Sequence, residues 1–315
     1  MTSTALSAFA YREWIGSTQI ALLLLRTLWD SFEMILPLSA LFAAGHALLR
    51  ARGFALREID SGGRRVLVYD RRHPGSGPPV VLLHGLGGSA ASFALLAARL
   101  ASSSRRVLVL DLPGHGRNRL RRGEEAAGLM EQAQALASAL AELAEPAVLI
   151  GNSLGGALCL NAAVVAPERV RAVVGLSPAG APLLEADRES VRDAFRGDLR
   201  AALEIPGRLY RRPPRLARLF ARDLARHFAA APVQRLLAQA GEQALLPEDL
   251  ARIEQPVLIL WGESDGILPA SSVEWFRKHL RNGTVEILPE CGHLPQMEQR
   301  ALVLARVRRF LAELA

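Results

Sequence analysis

Gly151-Asn152-Ser153-Leu154-Gly155-Gly156 follows the apolar run Ala147-Val148-Leu149-Ile150 and opens the small-residue stretch Ala157-Leu158-Cys159-Leu160-Asn161-Ala162-Ala163. Glycine two positions before and two positions after a serine, between a strand and a helix, is the pattern of a nucleophile elbow. The serine occupies a strained turn, and only glycine lets the flanking strand and helix approach closely enough to make it. Such a turn would lift the Ser153 hydroxyl above the sheet edge and set the Leu154 amide at a helix N-terminus, where it can stabilise a negative oxygen. An ordinary glycine-rich strand-to-helix turn has the same short signature, so the surrounding chain decides between them.

Outward from this stretch, short continuous apolar runs recur at residues 80–83, 107–110, 147–150, 170–176, 256–261 and 284–288. They alternate with helical stretches at 89–100, 124–143, 271–281 and 295–314. Strands buried on both faces and separated by helices predict a mostly parallel sheet with helices on either side. Residues 54–60 and 64–70 flank Ser61-Gly62-Gly63 and read as an antiparallel hairpin added to it, giving eight strands in an α/β fold. The alternation stops between 182 and 249. That region is helical, arginine-rich and interrupted by Pro206, Pro213-Pro214, Pro232 and Pro247, so it reads as an insertion. The expected organisation is a helical extension over 1–53, a core over 54–181 and 250–315, and a helical cap over 182–249.

With 315 residues, half of them apolar, the chain can bury a large core. Its net charge of +7 favours anionic surfaces. No nucleic-acid motif is present and aromatic residues are too sparse for a base-stacking platform, so a membrane surface or an acidic partner is expected and nucleic acid is not. Cys159 and Cys291 lack metal-ligand spacing; no metal, cofactor or disulfide scaffold is expected, which fits a reducing, cytoplasmic compartment. Oligomeric state is not legible.

Residues 11–50 form a segment of their own. Arg12, Gln19, Arg26, Asp30 and Glu33 fall on one helical stripe, Pro37 breaks the run, and the uncharged stretch 34–49 is shorter than the roughly 18 residues of a spanning helix. A secretory leader fits poorly. The segment reads as an amphipathic or re-entrant hairpin associated with a membrane, or else as one packed over the core as a lid or dimer contact. In the cap, Arg215, Arg218, Arg222 and Arg226 share a stripe that either touches anionic lipid or, more simply, is a solvated face paired with acids such as Asp223.

A serine hydroxyl becomes nucleophilic only with a base, a group to orient the base, and donors for the developing oxyanion. His293, in Glu290-Cys291-Gly292-His293 after the last strand, is the expected base. Asp265, in Trp261-Gly262-Glu263-Ser264-Asp265, is the expected acid, with Glu263 as the alternative. His84 and His115 lie in glycine-rich turns and read as hydrogen-bonded turn residues, while His227 and His279 are expected at the surface. The backbone amides of Leu86 and Leu154 are the expected oxyanion hole. The chain order Ser153, Asp265, His293 is the one this kind of sheet uses.

With His84-Gly85, Asp111-Leu112-Pro113-Gly114-His115-Gly116, Gly151 to Gly156, Trp261 to Asp265, Gly292-His293 and Pro295, the chain from about Phe54 onward resembles the α/β-hydrolase superfamily. Among capped members it is similar to the monoacylglycerol-lipase and carboxylesterase type. The resemblance implies hydrolysis of apolar acyl esters through an acyl-serine. Serine at the elbow argues against dehalogenases and epoxide hydrolases, which place aspartate there. A carbon–carbon bond hydrolase of the meta-cleavage type is the alternative within the fold, and a non-catalytic ligand receptor on the same scaffold is a third reading.

Overall fold

The computed structural model describes residues 37–240 and 244–314. Its strands are β1 (Ala55–Ser61), β2 (Arg64–Arg72), β3 (Val80–Leu83), β4 (Arg106–Leu110), β5 (Ala147–Asn152), β6 (Val170–Leu176), β7 (Val257–Gly262) and β8 (Gly283–Leu288). They form one sheet in the order β1-β2-β4-β3-β5-β6-β7-β8. The β1–β2 hairpin is antiparallel and β2 pairs antiparallel with β4, while every pairing from β4 through β8 is parallel.

Helices α1 (Leu38–Ala51), α2 (Ala94–Leu100), α3 (Leu129–Ala141) and α4 (Leu154–Val165) precede β6. Among the described residues five α-helices stand between β6 and β7: α5 (Glu185–Ala194), α6 (Leu199–Leu209), α7 (Ala221–Phe228), α8 (Ala231–Ala238) and α9 (Pro247–Ala251). Helix α10 (Ser271–His279) joins β7 to β8, and α11 (Pro295–Glu298) and α12 (Arg300–Glu313) close the described chain.

Continuous apolar strands bury both faces because successive side chains point to opposite sides. Val81, Leu83, Leu108, Leu110 and Leu149 join α3, α4 and α10 in one core. Val80, Leu82, Val107, Val109, Val148 and Ile150 join α1, α2 and α12 in the other. The sheet is therefore the wall between two apolar layers, and its strand ends are where polar groups collect.

Several boundaries differ from the sequence expectation for local reasons. The stretch expected as one helix from Ser89 begins as a 3-10 turn, Ala90–Phe93, because Ser89 Oγ accepts from the Ala91 amide while itself donating to Asp111. Helix α3 starts at Leu129 and not at 124, where Glu131 reaches back 3.0 Å to the Gly128 amide. The closing helix breaks at Gln299 into α11 and α12.

The amphipathic stripe from Arg12 to Glu33 lies outside the described residues. The part after Pro37 is packed on the core: Leu49 is fully buried, Leu48 and His46 nearly so. Among the described residues no helix is long and apolar enough to cross a membrane.

Leu49→Ala should therefore destabilise the fold like a core truncation, by about 2–5 kcal/mol. Met130→Ala, at a position 71% exposed, should shift stability by no more than about 0.5 kcal/mol. Denaturant midpoints of the two variants provide the comparison.

Candidate active site

Strand β5 delivers Ser153 to the start of α4 in a left-handed conformation, φ 52° and ψ −118°. A Cβ on Gly151 would stand 2.2 Å from the Gly155 carbonyl oxygen, and one on Gly155 2.4 Å from that of Leu83. Both glycines are thus required by backbone contact. The turn is held by Ser153 N donating to Leu176 O at 3.1 Å and by Ala179 N donating to Ser153 O at 3.0 Å. Leu154 is the first helical residue, so its amide has no carbonyl one turn earlier to bind.

His293 is on the loop after β8, with its side chain 2% exposed. Its Nδ1 lies 2.7 Å from Asp265 Oδ2. The other Asp265 oxygen accepts from the amides of Ile267 and Leu268, at 2.9 and 3.0 Å, which fixes the carboxylate plane. Glu263 is exposed and accepts instead from the Glu290 amide. Ser153 and His293 line one cavity of about 160 Å³, with Leu86 on the same wall. A Cβ on Gly85 would lie 3.0 Å from Ser153 Cβ, so the turn carrying Leu86 abuts the serine.

Asn152 is a site residue that the sequence reading passes over. Its Nδ2 donates to the carbonyls of Leu176 and His293, at 2.9 and 3.0 Å, and so ties the strand before the serine to the loop of the histidine. An amide at the end of an otherwise apolar strand was the available signal. The same loop is fastened to the helices above it. His293 N donates to Leu209 O at 2.8 Å. Glu298 accepts from the amides of Gly292, Arg211 and Arg212, at 2.7, 3.2 and 3.0 Å. Cys291, beside His293, is buried, and burial pushes its thiol up to about 12, so it stays protonated and inert.

Beneath the cavity the Asp111 carboxylate is fully buried and gathers three segments. Oδ1 accepts from Ser89 Oγ at 3.1 Å and Ala90 N at 2.7 Å; Oδ2 accepts from Arg117 N at 2.9 Å. His46, on α1, reaches Ser89 Oγ at 3.0 Å. His84 faces the Gly85 carbonyl with Nδ1 at 2.8 Å and receives the Leu112 amide at Nε2, 3.0 Å away. It is therefore neutral with its proton on Nδ1, since a second proton would meet an N–H. Desolvation by burial lowers the pKa of His84 to about 4 and that of His115 to about 3. Both are hydrogen-bonded turn residues, as expected.

His227 is not at the surface. It is half-buried at the seam between α7 and the Gly85–Gly88 turn, its Nε2 2.7 Å from Gly87 O and its ring edge-on to Phe42 of α1. The sequence reading placed it outside because it lies in the arginine-rich insertion, but the helix buries Phe228 and half-buries Leu224. The arginine stripe does face outward: Arg215, Arg218, Arg222 and Arg226 are exposed, while Ala217, Phe220 and Leu224 line the cavity. Arg226 comes within 3.9 Å of Asp223, whose Oδ2 accepts from the Leu38 amide at 3.0 Å. Among the described residues the other three arginines have no carboxylate partner, so the expected pairing holds for one of four.

A model described as the alpha/beta hydrolase family matches residues 80–306. The dihydrolipoyllysine-residue acetyltransferase component of the acetoin cleaving system of Pseudomonas putida is 32% identical over 285 residues, covering 86% of this chain and 73% of that protein. The pimeloyl-[acyl-carrier protein] methyl ester esterase of Nitrosospira multiformis is 29% identical, covering 75% of this chain and 95% of that protein. Among solved structures, a bacterial membrane phospholipase A superposes with a TM-score of 0.74 at 21% identity, covering 99% of both chains. That likeness concerns the fold.

His84 and His115 bind protons less readily in the folded than in the unfolded chain, where the value is about 6.5. Between these values the unfolded state holds more protons, so stability should fall as pH drops from about 6.5 toward 4. His115→Asn should flatten that slope in denaturant midpoints measured across the window.

Proposed function

This chain belongs to the alpha/beta hydrolase family, and we propose that within it the protein is a serine hydrolase of carboxylic esters with apolar acyl groups, monoacylglycerols or similar lipid esters, acting through an acyl-serine. The observation that carries this reading is the Asp265–His293 bond beside Ser153 at an apolar cavity. His293 donates from Nδ1 to Asp265, which leaves the Nε2 lone pair to take the Ser153 proton as the serine oxygen bonds to the acyl carbon. The carbonyl electron pair moves onto oxygen, where the amides of Leu86 and Leu154 receive it. Collapse expels the alkoxide, which takes the proton from His293, and Ser153 is left acylated. Water then adds by the same proton route and the carboxylic acid departs. The two relatives, by name an acetyltransferase component and a methyl ester esterase, also concern acyl groups.

We also propose that the enzyme works against an anionic bilayer. Leu219, 73% exposed, stands in the chain among the outward Arg215, Arg218 and Arg222 and next to Phe220, which with Leu224 lines the cavity. The apolar chain ahead of Pro37 enters α1 at Leu38, which lines the same cavity. Lipid and cavity would then share one side of the molecule, and of the membrane-associated segment expected over residues 11–50 the part before Pro37 would make the contact, since α1 is packed on the core.

A fluorophosphonate probe should label the wild type and fail to label Ser153→Ala, which should also lose p-nitrophenyl ester turnover. Asp265→Asn should lower kcat about 10⁴-fold, as loss of the orienting carboxylate does in triads. Faster cleavage of a vinylogous diketone than of any ester would instead favour carbon–carbon hydrolysis.

On vesicles, a basic residue near an anionic surface contributes about 1 kcal/mol. Replacing Arg215, Arg218 and Arg222 together by Gln should reduce partitioning onto phosphatidylglycerol vesicles about 10²-fold, with no change on phosphatidylcholine, by co-sedimentation.

A further inference from the structure

Ser153 stands between two cavities. Besides the one of about 160 Å³ that it shares with His293, a second of about 130 Å³ opens on its other flank, walled by Leu154, Leu183, Leu236, Ala240, Ile267 and Leu268. Leu86, Ser153 and Phe195 line both and so form the partition. Neither cavity is lined by Asp, Glu, Lys or Arg among the described residues. An ester has two arms diverging from its carbonyl carbon, and a serine that attacks between two apolar cavities has a place for each.

The arms can be assigned. The group that protonates the departing alkoxide must lie on the alcohol side, and His293 lines only the first cavity. The same cavity is lined by Gln296, three residues on, which is 2% exposed. Among the described residues neither its Nε2 nor its Oε1 has a hydrogen-bond partner. A buried amide left unpaired at both atoms is costly unless a ligand meets it. One donor and one acceptor together match a hydroxyl, or a carbonyl oxygen at the Nε2 side alone.

Resting on the ester-hydrolase reading, we infer that the acyl chain lies in the second cavity and the alcohol in the first, where Gln296 reads a neutral hydroxyl or carbonyl group on an otherwise apolar alcohol. Esters whose alcohol carries a phosphate, carboxylate or ammonium group find no counter-charge in either cavity.

The experiment uses the full chain and the matched pair 2-hydroxyethyl and n-propyl octanoate, then n-propyl esters of increasing acyl length. Wild type should prefer the hydroxyethyl ester in kcat/KM by about 10- to 100-fold, the range for a site whose polar groups are otherwise unpaired. Gln296→Met should abolish that preference and leave acyl-length dependence intact. Ala240→Phe, at a half-buried wall position of the second cavity, should shorten the preferred acyl chain and leave the hydroxyethyl-to-propyl ratio unchanged. Each methylene accommodated should raise kcat/KM about fourfold. Wild type preferring the propyl ester, an unchanged ratio in Gln296→Met, or a changed ratio without chain shortening in Ala240→Phe would overturn the assignment. A small fluorophosphonate that labels Ser153 equally in all three proteins establishes that they are folded and reactive. Failure to label the wild type would instead remove the ester-hydrolase reading on which the assignment stands.

Discussion

The site depends on one local conformation, the left-handed backbone at Ser153. A non-glycine residue held there costs on the order of 1–3 kcal/mol and persists only where its surroundings over-determine it. Here β6 and the segment just after it bond the serine's own N–H and C=O, and α4 lies so close to the end of β5 at Gly151 and to β3 at Gly155 that neither position tolerates a side chain. The parallel pairing of β3, β5 and β6 is thus what aims the hydroxyl, and the two apolar cores exist to keep those strands in register. Asn152 and the Asp265 carboxylate extend the same restraint to the histidine.

What could be read in the sequence follows from which interactions are local. Strand runs such as 80–83 and 147–150 are legible because burial on both faces leaves no polar position. Asp265, His293 and Ser153 are legible because each follows a strand, and the strand ends of a parallel sheet meet on one edge. The restraints between distant segments are not legible. Nothing about Glu298 in one dimension announces that it binds the loop of His293, and Asn152 at the end of an apolar strand signals a polar task without naming the partner, since the partners are backbone groups, which every residue has. His227 was misplaced for a related reason. Charged neighbours describe the exposed side of a short helix, and the side it buries is decided by what lies underneath.

Helix α1 is the clearest case of context overriding composition. An apolar stretch with a single histidine suggests lipid, yet His46 lies against Ser89 and stacks on Tyr69, and Leu48 and Leu49 complete a core layer. The helix is at once part of the fold and part of the cavity roof, through Leu38, Leu41 and Phe42. Arg215, Arg218 and Arg222, by contrast, stay exposed, with no carboxylate partner among the described residues.

The bonds that Leu209 and Glu298 make have a mechanical consequence. One carboxylate and one carbonyl fasten the C-terminal end of α6 and the segment after it to the histidine loop. A roof riveted there cannot swing up from that end without dragging His293 away from Asp265. At the opposite margin α7 meets α1 through the His227–Phe42 ring contact and the Leu38–Asp223 bond. Displacement at α7 and α1 would leave the His293–Asp265 bond in place, whereas displacement at the end of α6 would pull on it.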